Sequence, residues 1–440
     1  MKIVHITAGA GGRLCGSCLH DNALVRSLRA RGRDAILVPA YVPTTTDEEN
    51  VAGERIVMGG VNVWLQEHVP PFRHTPRFLD ALLDRLFDSR QLLAWLSSRT
   101  GSTRAADLGP LTASTLAGER GHQRKEVEKL ARWLAADVRP DVVHLSNVLL
   151  AGLARRVKQT TGASVVASFS GEDIFIEQIP QPHYSRVRAL LRERAADVDH
   201  FVALNRSFAR FMAGYLDVPP DRITVIPHGL DRAGFPATPP DLSARRRARA
   251  GRLRVGFLAR ACPEKGLEQL VRALPLVAER HDVEVLAAGA EIESESGYVA
   301  MCRRLAAKLG VAGRFSWLGQ VDRPAKLRLL ESIDVFAMPT VFPEAKGIPV
   351  VEALAAGVPV VAPAHGTFPE LLDDERAGLL HAAGDPADLA RAIGRLLDDE
   401  PLAVRCGRHG HELSLARHTA DRMAAAHEEL YARLSGGGSA

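Results

Sequence analysis

Two glutamates stand eight residues apart, Glu344 and Glu352, in DVFAMPTVFPEAKGIPVVEALAAGVPVVAPAHGTFPE (334–370). The stretch reads as strand, loop, helix and strand, with the helix starting near Gly347. Gly347 lets the backbone approach a ligand closely, and Pro349 is tolerated in a first helical turn. Free N–H groups there, with the helix dipole, suit a phosphate or a sugar hydroxyl. Two carboxylates at such a site would accept hydrogen bonds from vicinal hydroxyls. Glu344 also reads as a solvated loop residue. Glu352 sits among Val350, Val351, Ala353 and Leu354, and a carboxylate in such surroundings needs partners.

Other residues offer chemistry at lower specificity. Cys15 and Cys18 have CxxC spacing, but no second ligand pair accompanies them, so packing or loop shaping is set against thiol or metal chemistry. Asp197-Val198-Asp199 matches an Asp-x-Asp metal motif, yet it ends a helical pattern before a strand, a capping or turn position. His20 and Asp21 could face a cleft or a helix surface, and His144 could line an acceptor or be a buried structural histidine. The Gly9–Gly16 stretch is not a Walker loop, because no Gly-Lys-Ser/Thr follows, and Leu14 occupies the third glycine of a dinucleotide fingerprint.

The elements that must position these groups alternate β with α. Strands are expected at Ile3–Ala8, Ala35–Val38, Asp141–Leu145, Ser164–Phe169 and His200–Leu204. A second series is expected at Arg254–Leu258, Glu284–Ala287, Arg314–Trp317, Val335–Met338 and Val358–Ala362. Helical patterns between them imply parallel sheets covered on both faces. The Pro- and Gly-marked segment Ile223–Asp231 reads as a junction. The expected division is 1–227, with a helical insert at about 42–125; 228–415; and a C-terminal helix and tail at 416–440 that could pack back on the first domain. In the insert, Thr75-Pro76 reads as a helix start, and Phe78, Leu79, Leu82, Leu83, Leu86 and Phe87 follow at helical spacing, flanked by Arg73, Arg77 and Arg85. Either a surface helix or an acceptor-side, membrane-touching element fits that pattern.

Composition bounds the function class. The 440 residues are 46% hydrophobic and 25% charged with net charge +4, which excludes disordered and collagen-like chains. Scattered basic residues form no stripe, so a nucleic-acid partner is not expected. Five cysteines, an odd and sparse set, argue for a reducing, cytoplasmic setting. Of the 56 basic residues only 8 are lysine, so each lysine is worth locating.

Taken together, the motifs resemble the retaining family 4 glycosyltransferases of the GT-B fold. Glu344-x7-Glu352 with ALAAGVPVVA, RVGFLARACPEKGLEQLVRALPLV (254–277), ITVIPHGLD, FSWLGQV and DVFAMPT carry the resemblance across nearly the whole chain. It implies an α/β architecture of two Rossmann-like, doubly wound parallel-sheet domains facing a cleft that closes about residues near 228. It also implies residue roles. Arg260 and Lys265 would hold the donor diphosphate, Glu352 the ribose hydroxyls, and Glu344 with the backbone of Gly347 and Ile348 the donor sugar. Gly16 would be the loop glycine near the diphosphate and acceptor. A cation pair at the leaving phosphate would stabilise the transition state over the ground state. Two departures stand out: Ala345-Lys346 replaces the usual Pro-Phe or Gly-Phe, and Ser170 replaces a histidine that contacts the donor sugar or reaction centre. Lys346, Ser170, Glu172 and Asp173 are then candidates for the sugar or acceptor side.

The implied activity is transfer of a sugar from a UDP-, GDP- or ADP-linked donor to an acceptor hydroxyl, with retention and without metal or cofactor. The acceptor would be a glycan, a lipid or a small molecule, and membrane contact would be at most peripheral. A nucleotide-sugar epimerase, a sugar phosphorylase and a non-catalytic sugar-nucleotide-binding protein remain alternatives. A pyridoxal-phosphate phosphorylase would need a Schiff-base lysine, and no lysine outside the 260–266 loop has a fitting context.

Overall fold

The computed structural model describes residues 1–9, 16–53, 55–74, 105–249, 252–291 and 297–436. Gly11, Gly12, Cys15 and the helix expected from Thr75 to Phe87 lie outside the described residues. The chain divides into two compact units, Met1–Gly229 with Ala420–Ala440, and Leu230–Thr419.

In the N-terminal unit, six strands form one sheet in the order β2-β1-β3-β4-β5-β6. They are β1 (Lys2–Thr7), β2 (Asp34–Pro39), β3 (Val142–Leu145), β4 (Ser164–Ser168), β5 (His200–Ala203) and β6 (Ile223–Val225). Every pairing is parallel, with Ile3 opposite Ala35 on one side and Val142 on the other. β3 is buried at all four residues, as expected of a strand covered on both faces. The helices Gly16–Ala30 and Ala420–Gly436 contribute Leu24, Leu28, Met423 and Tyr431 to a core shared with Ile3, Val142 and Val202.

The C-terminal unit holds β7 (Leu253–Leu258), β8 (Val283–Ala288), β9 (Phe315–Trp317), β10 (Val335–Ala337), β11 (Val360–Pro363) and β12 (Gly378–His381). Their order, β12-β11-β10-β7-β8-β9, is again wholly parallel. The chain moves outward from β7 through β8 to β9, then returns to lay β10 on the other side of β7. The loops leaving β7 and β10 therefore diverge at a topological switch point, where open α/β sheets bind ligands.

Two strands were not expected from sequence. Ile223–Val225, read as the start of the junction, pairs with Phe201–Ala203 as β6. Gly378–His381 pairs with Val360–Pro363 as β12. Both are short edge strands of three and four residues, too brief for a periodic signal.

Candidate active site

The C-terminal unit gathers the expected donor residues at the β7/β10 switch point. Arg260 and Lys265 lie in the loop after β7; Glu344, Lys346 and Gly347 lie in the loop after β10. The two loops touch. Gly266 has φ +74°, and a Cβ there would sit 1.8 Å from the Pro339 carbonyl oxygen, so only glycine fits. Gly347, at φ +64°, immediately precedes the helix Ile348–Ala355, with Pro349 in its first turn. A Cβ at Gly347 would meet Leu371 Cδ1 at 2.5 Å, so the start of this helix is set by both conformation and space. All of its residues except Pro349 are buried, and Val350 and Leu354 contribute roughly 2 kcal/mol each to holding it.

Lys265 Nζ forms an ion pair with Glu344 Oε2. Glu344 Oε1 accepts a hydrogen bond from the Lys346 N–H at 3.3 Å, and the Glu344 carbonyl accepts from Thr367 N–H at 2.8 Å. Burial pushes the Glu344 pKa up, but the Lys265 ammonium and the Lys346 N–H outweigh it and hold the carboxyl below its ordinary value. Arg260 is exposed, and its Nη2 lies 3.6 Å from the buried Cys262 Sγ. Burial raises the pKa of this thiol, so Cys262 is no poised nucleophile.

Glu352 is buried, as its neighbours demanded, and its partner is Lys326, with Nζ 2.7 Å from Oε1. Lys326 was not singled out from the sequence. The signal was there: on the helix Arg323–Ser332 it shares a buried face with Leu329 and Leu330, at i, i+3 and i+4. His365, after β11, was also missed. Burial lowers its pKa, against the Thr340 backbone and the Glu344 charge.

The N-terminal unit treats its candidates differently. Gly16 opens the helix Gly16–Ala30, where the first N–H groups have no intrahelical acceptor. Glu172 turns inward rather than offering its carboxylate: Oε2 accepts from Ser170 N–H at 2.8 Å, and Oε1 from Ser170 Oγ at 3.2 Å and Val148 N–H at 3.1 Å. Ser170 is thereby fixed in the loop after β4. Asp173 begins the short helix Asp173–Glu177, whose N-cap residue Glu172 makes no side-chain capping hydrogen bond.

His20 and Asp21 are buried, so the helix-surface reading is corrected. His20 Nδ1 lies 2.9 Å from His228 Nδ1, and Asp21 Oδ1 lies 3.0 Å from His5 Nε2. His144 bonds the Tyr431 hydroxyl through Nδ1 and Ser168 Oγ at 2.8 Å through Nε2. His427 stacks into the same cluster, 5.6 Å from the His144 ring. Burial lowers the pKa of His20, His144 and His427 alike. Cys18 is likewise buried. Asp197 pairs with Arg155 at 3.1 Å and Arg194 at 3.3 Å, and Asp199 with Lys158 at 2.6 Å. Among the described residues no group of three or more His, Cys, Asp and Glu side chains could hold a metal ion.

Residues 241–413 match the family model for glycosyl transferases group 1, and residues 105–233 match that for glycosyltransferase family 4. A GDP-mannose-dependent alpha-(1-6)-phosphatidylinositol monomannoside mannosyltransferase of Mycobacterium tuberculosis is 33% identical over 289 residues, 63% of this chain and 71% of that one. A D-inositol 3-phosphate glycosyltransferase of Stackebrandtia nassauensis is 29% identical over 316 residues, 69% of this chain and 66% of that one. Among solved structures, sucrose-phosphate synthase of Thermosynechococcus elongatus superposes with a TM-score of 0.72 at 18% identity, covering 99% of this chain and 100% of that one. Anabaena HepE in complex with UDP gives 0.69 at 18% identity, with the same coverage. Family models that match part of each unit, a relative above 30% identity and two wholly parallel sheets agree: the chain belongs to the family 4 glycosyltransferases and is a glycosyltransferase of the GT-B fold.

Proposed function

We propose that the protein moves a hexosyl group from a nucleoside-diphosphate sugar to an acceptor hydroxyl, with retention of anomeric configuration and without a metal ion or cofactor. The observation that carries this reading is the Lys265–Glu344 ion pair at the β7/β10 switch point. It sets a cation able to bind phosphate beside a carboxylate able to accept from a sugar hydroxyl. Arg260 and Lys265 would stabilise the charge that builds on the β-phosphate as the bond from C1 to the phosphate oxygen breaks. Glu344 and the backbone of Gly347 and Ile348 would orient the sugar, and Glu352 would accept from the ribose hydroxyls. In a front-face route the acceptor oxygen bonds to C1 on the side the phosphate leaves, and its proton passes to that phosphate. Catalysis is then positioning and electrostatics. The side chains of Arg260 and Lys265 supply the positive charge that a metal supplies elsewhere.

The relatives' names extend the proposal to GDP-mannose as donor and an inositol-bearing lipid or inositol phosphate as acceptor. No helix among the described residues is long and apolar enough to cross a membrane, so a lipid acceptor would be met at the membrane surface. The test is GDP release from GDP-mannose with and without such an acceptor, in EDTA, with the product anomer read by NMR. Acceptor-dependent release and an α-linked product are expected. Loss of activity in EDTA would overturn metal independence, and a β-linked product would overturn retention.

A further inference from the structure

A carboxylate that reads a vicinal diol must stay ionised and hold its oxygens where both hydroxyls can reach, because only the ionised group is purely an acceptor. Glu352 is buried, with 7% of its side chain exposed, in a helix otherwise lined by valine, leucine and alanine. A carboxylate in such surroundings needs a close partner. Lys326 is that partner. Its ammonium lies 2.7 Å from Glu352 Oε1, and 9% of its own side chain is exposed. It comes from a different element, the helix Arg323–Ser332, whose first turn is fastened by the Asp322 carboxylate accepting from the Ala325 N–H at 2.8 Å. The Lys326 N–H in turn donates to the Asp322 carbonyl at 2.8 Å. A rigid helix start thus aims the lysine, and the lysine pins one oxygen of the glutamate.

We infer that Lys326 is a positioning residue for nucleotide recognition: by neutralising and anchoring Glu352 Oε1, it fixes the carboxylate for the ribose diol. The inference rests on Glu352 being the ribose-binding group. It differs from the part proposed for Lys265, which lies in the loop after β7 itself. Lys326 belongs to neither switch-point loop and acts only through Glu352. Preorganisation of this kind is read as affinity for the group it serves, not as turnover.

The experiment pairs protein variants with ligand variants. Affinities are measured for whichever of GDP, UDP and ADP binds most tightly and for its 2′,3′-dideoxy form. Glu352→Gln should largely erase the preference for the ribose form. Lys326→Met should weaken the ribose form by about tenfold and the dideoxy form less than twofold. Lys326→Arg should restore most of the preference. In steady-state kinetics, Lys326→Met should raise the donor KM with kcat nearly unchanged. Should Lys326→Met fail to fold, Lys326→Gln, which keeps a donor and loses the charge, is judged by the same ratio. Equal loss for both ligands, or none, would overturn the role of Lys326. A ribose preference that survives Glu352→Gln would instead overturn the assignment of Glu352, so the two failures are distinguishable.

Discussion

Two buried polar clusters, one in each unit, differ in kind. Under the helices Gly16–Ala30 and Ala420–Gly436, the N-terminal unit packs His5, His20, His144, His228 and His427 with Asp21 and Tyr431, and burial lowers the pKa of His20, His144 and His427. The C-terminal unit buries or half-buries full charges, as the pairs Lys265–Glu344 and Lys326–Glu352. A neutral imidazole cluster costs little to bury near neutral pH but is exposed to acid. A lysine–glutamate pair keeps its charges through that range, and a charged ligand needs fixed charges. With the site read as proposed, the contrast separates a polar network that holds elements together from one arranged for recognition.

Removing a fixed charge should break the contrast most visibly. Lys265→Ala is expected to lower kcat/KM by about 10²–10³-fold and to weaken nucleoside-diphosphate binding. Unchanged affinity in calorimetry would detach Lys265 from the diphosphate.

The histidine cluster should give the next largest effect, and only on stability. His427 is pushed from 6.5 down to about 4 by burial, and burial and the neighbouring rings also hold His20 and His144 well below the usual value. An imidazole with a depressed folded pKa contributes its full stability above the unfolded value of 6.5, and that contribution is lost as pH falls toward the folded one. For His427 alone the swing is on the order of 3 kcal/mol. Hydrogen exchange corrected for intrinsic rates should therefore show β1 and β3 losing protection between pH 7 and 5 well before β10 does. His427→Phe should shrink that difference, and equal loss in both units would dissolve the contrast.

The smallest effect sharpens it at a partly buried ion-pair network of the N-terminal unit. Asp197 is bonded to Arg155 and Arg194, so Asp197→Asn should cost about 1 kcal/mol in unfolding and leave activity without metal dependence. Metal-dependent activity lost in this variant would make the Asp-x-Asp motif functional after all.

The βα rhythm made ten of the twelve strands among the described residues legible, because buried parallel strands write continuous apolar runs into the chain. Loop composition marked the glycines that the backbone demands: Gly266 and Gly347 are required by close approach and positive φ. What stayed hidden were partners. Glu172 looked like a ligand group beside a glycine, and it is the staple of its own loop. Lys326 looked like one more helical cation, and it neutralises Glu352.

By itself the sequence determined the alternation of elements, the doubly wound architecture and the residue types at the strand ends, since these follow from periodicity and local backbone demands. Only the tertiary structure decided which charges meet. His144 and Tyr431 are 287 residues apart, His20 and His228 are 208 apart, and Lys265 and Glu344 are 79 apart. Electrostatics and hydrogen bonding act over a few ångströms of space, and a chain position carries that distance only after the sheet has placed it.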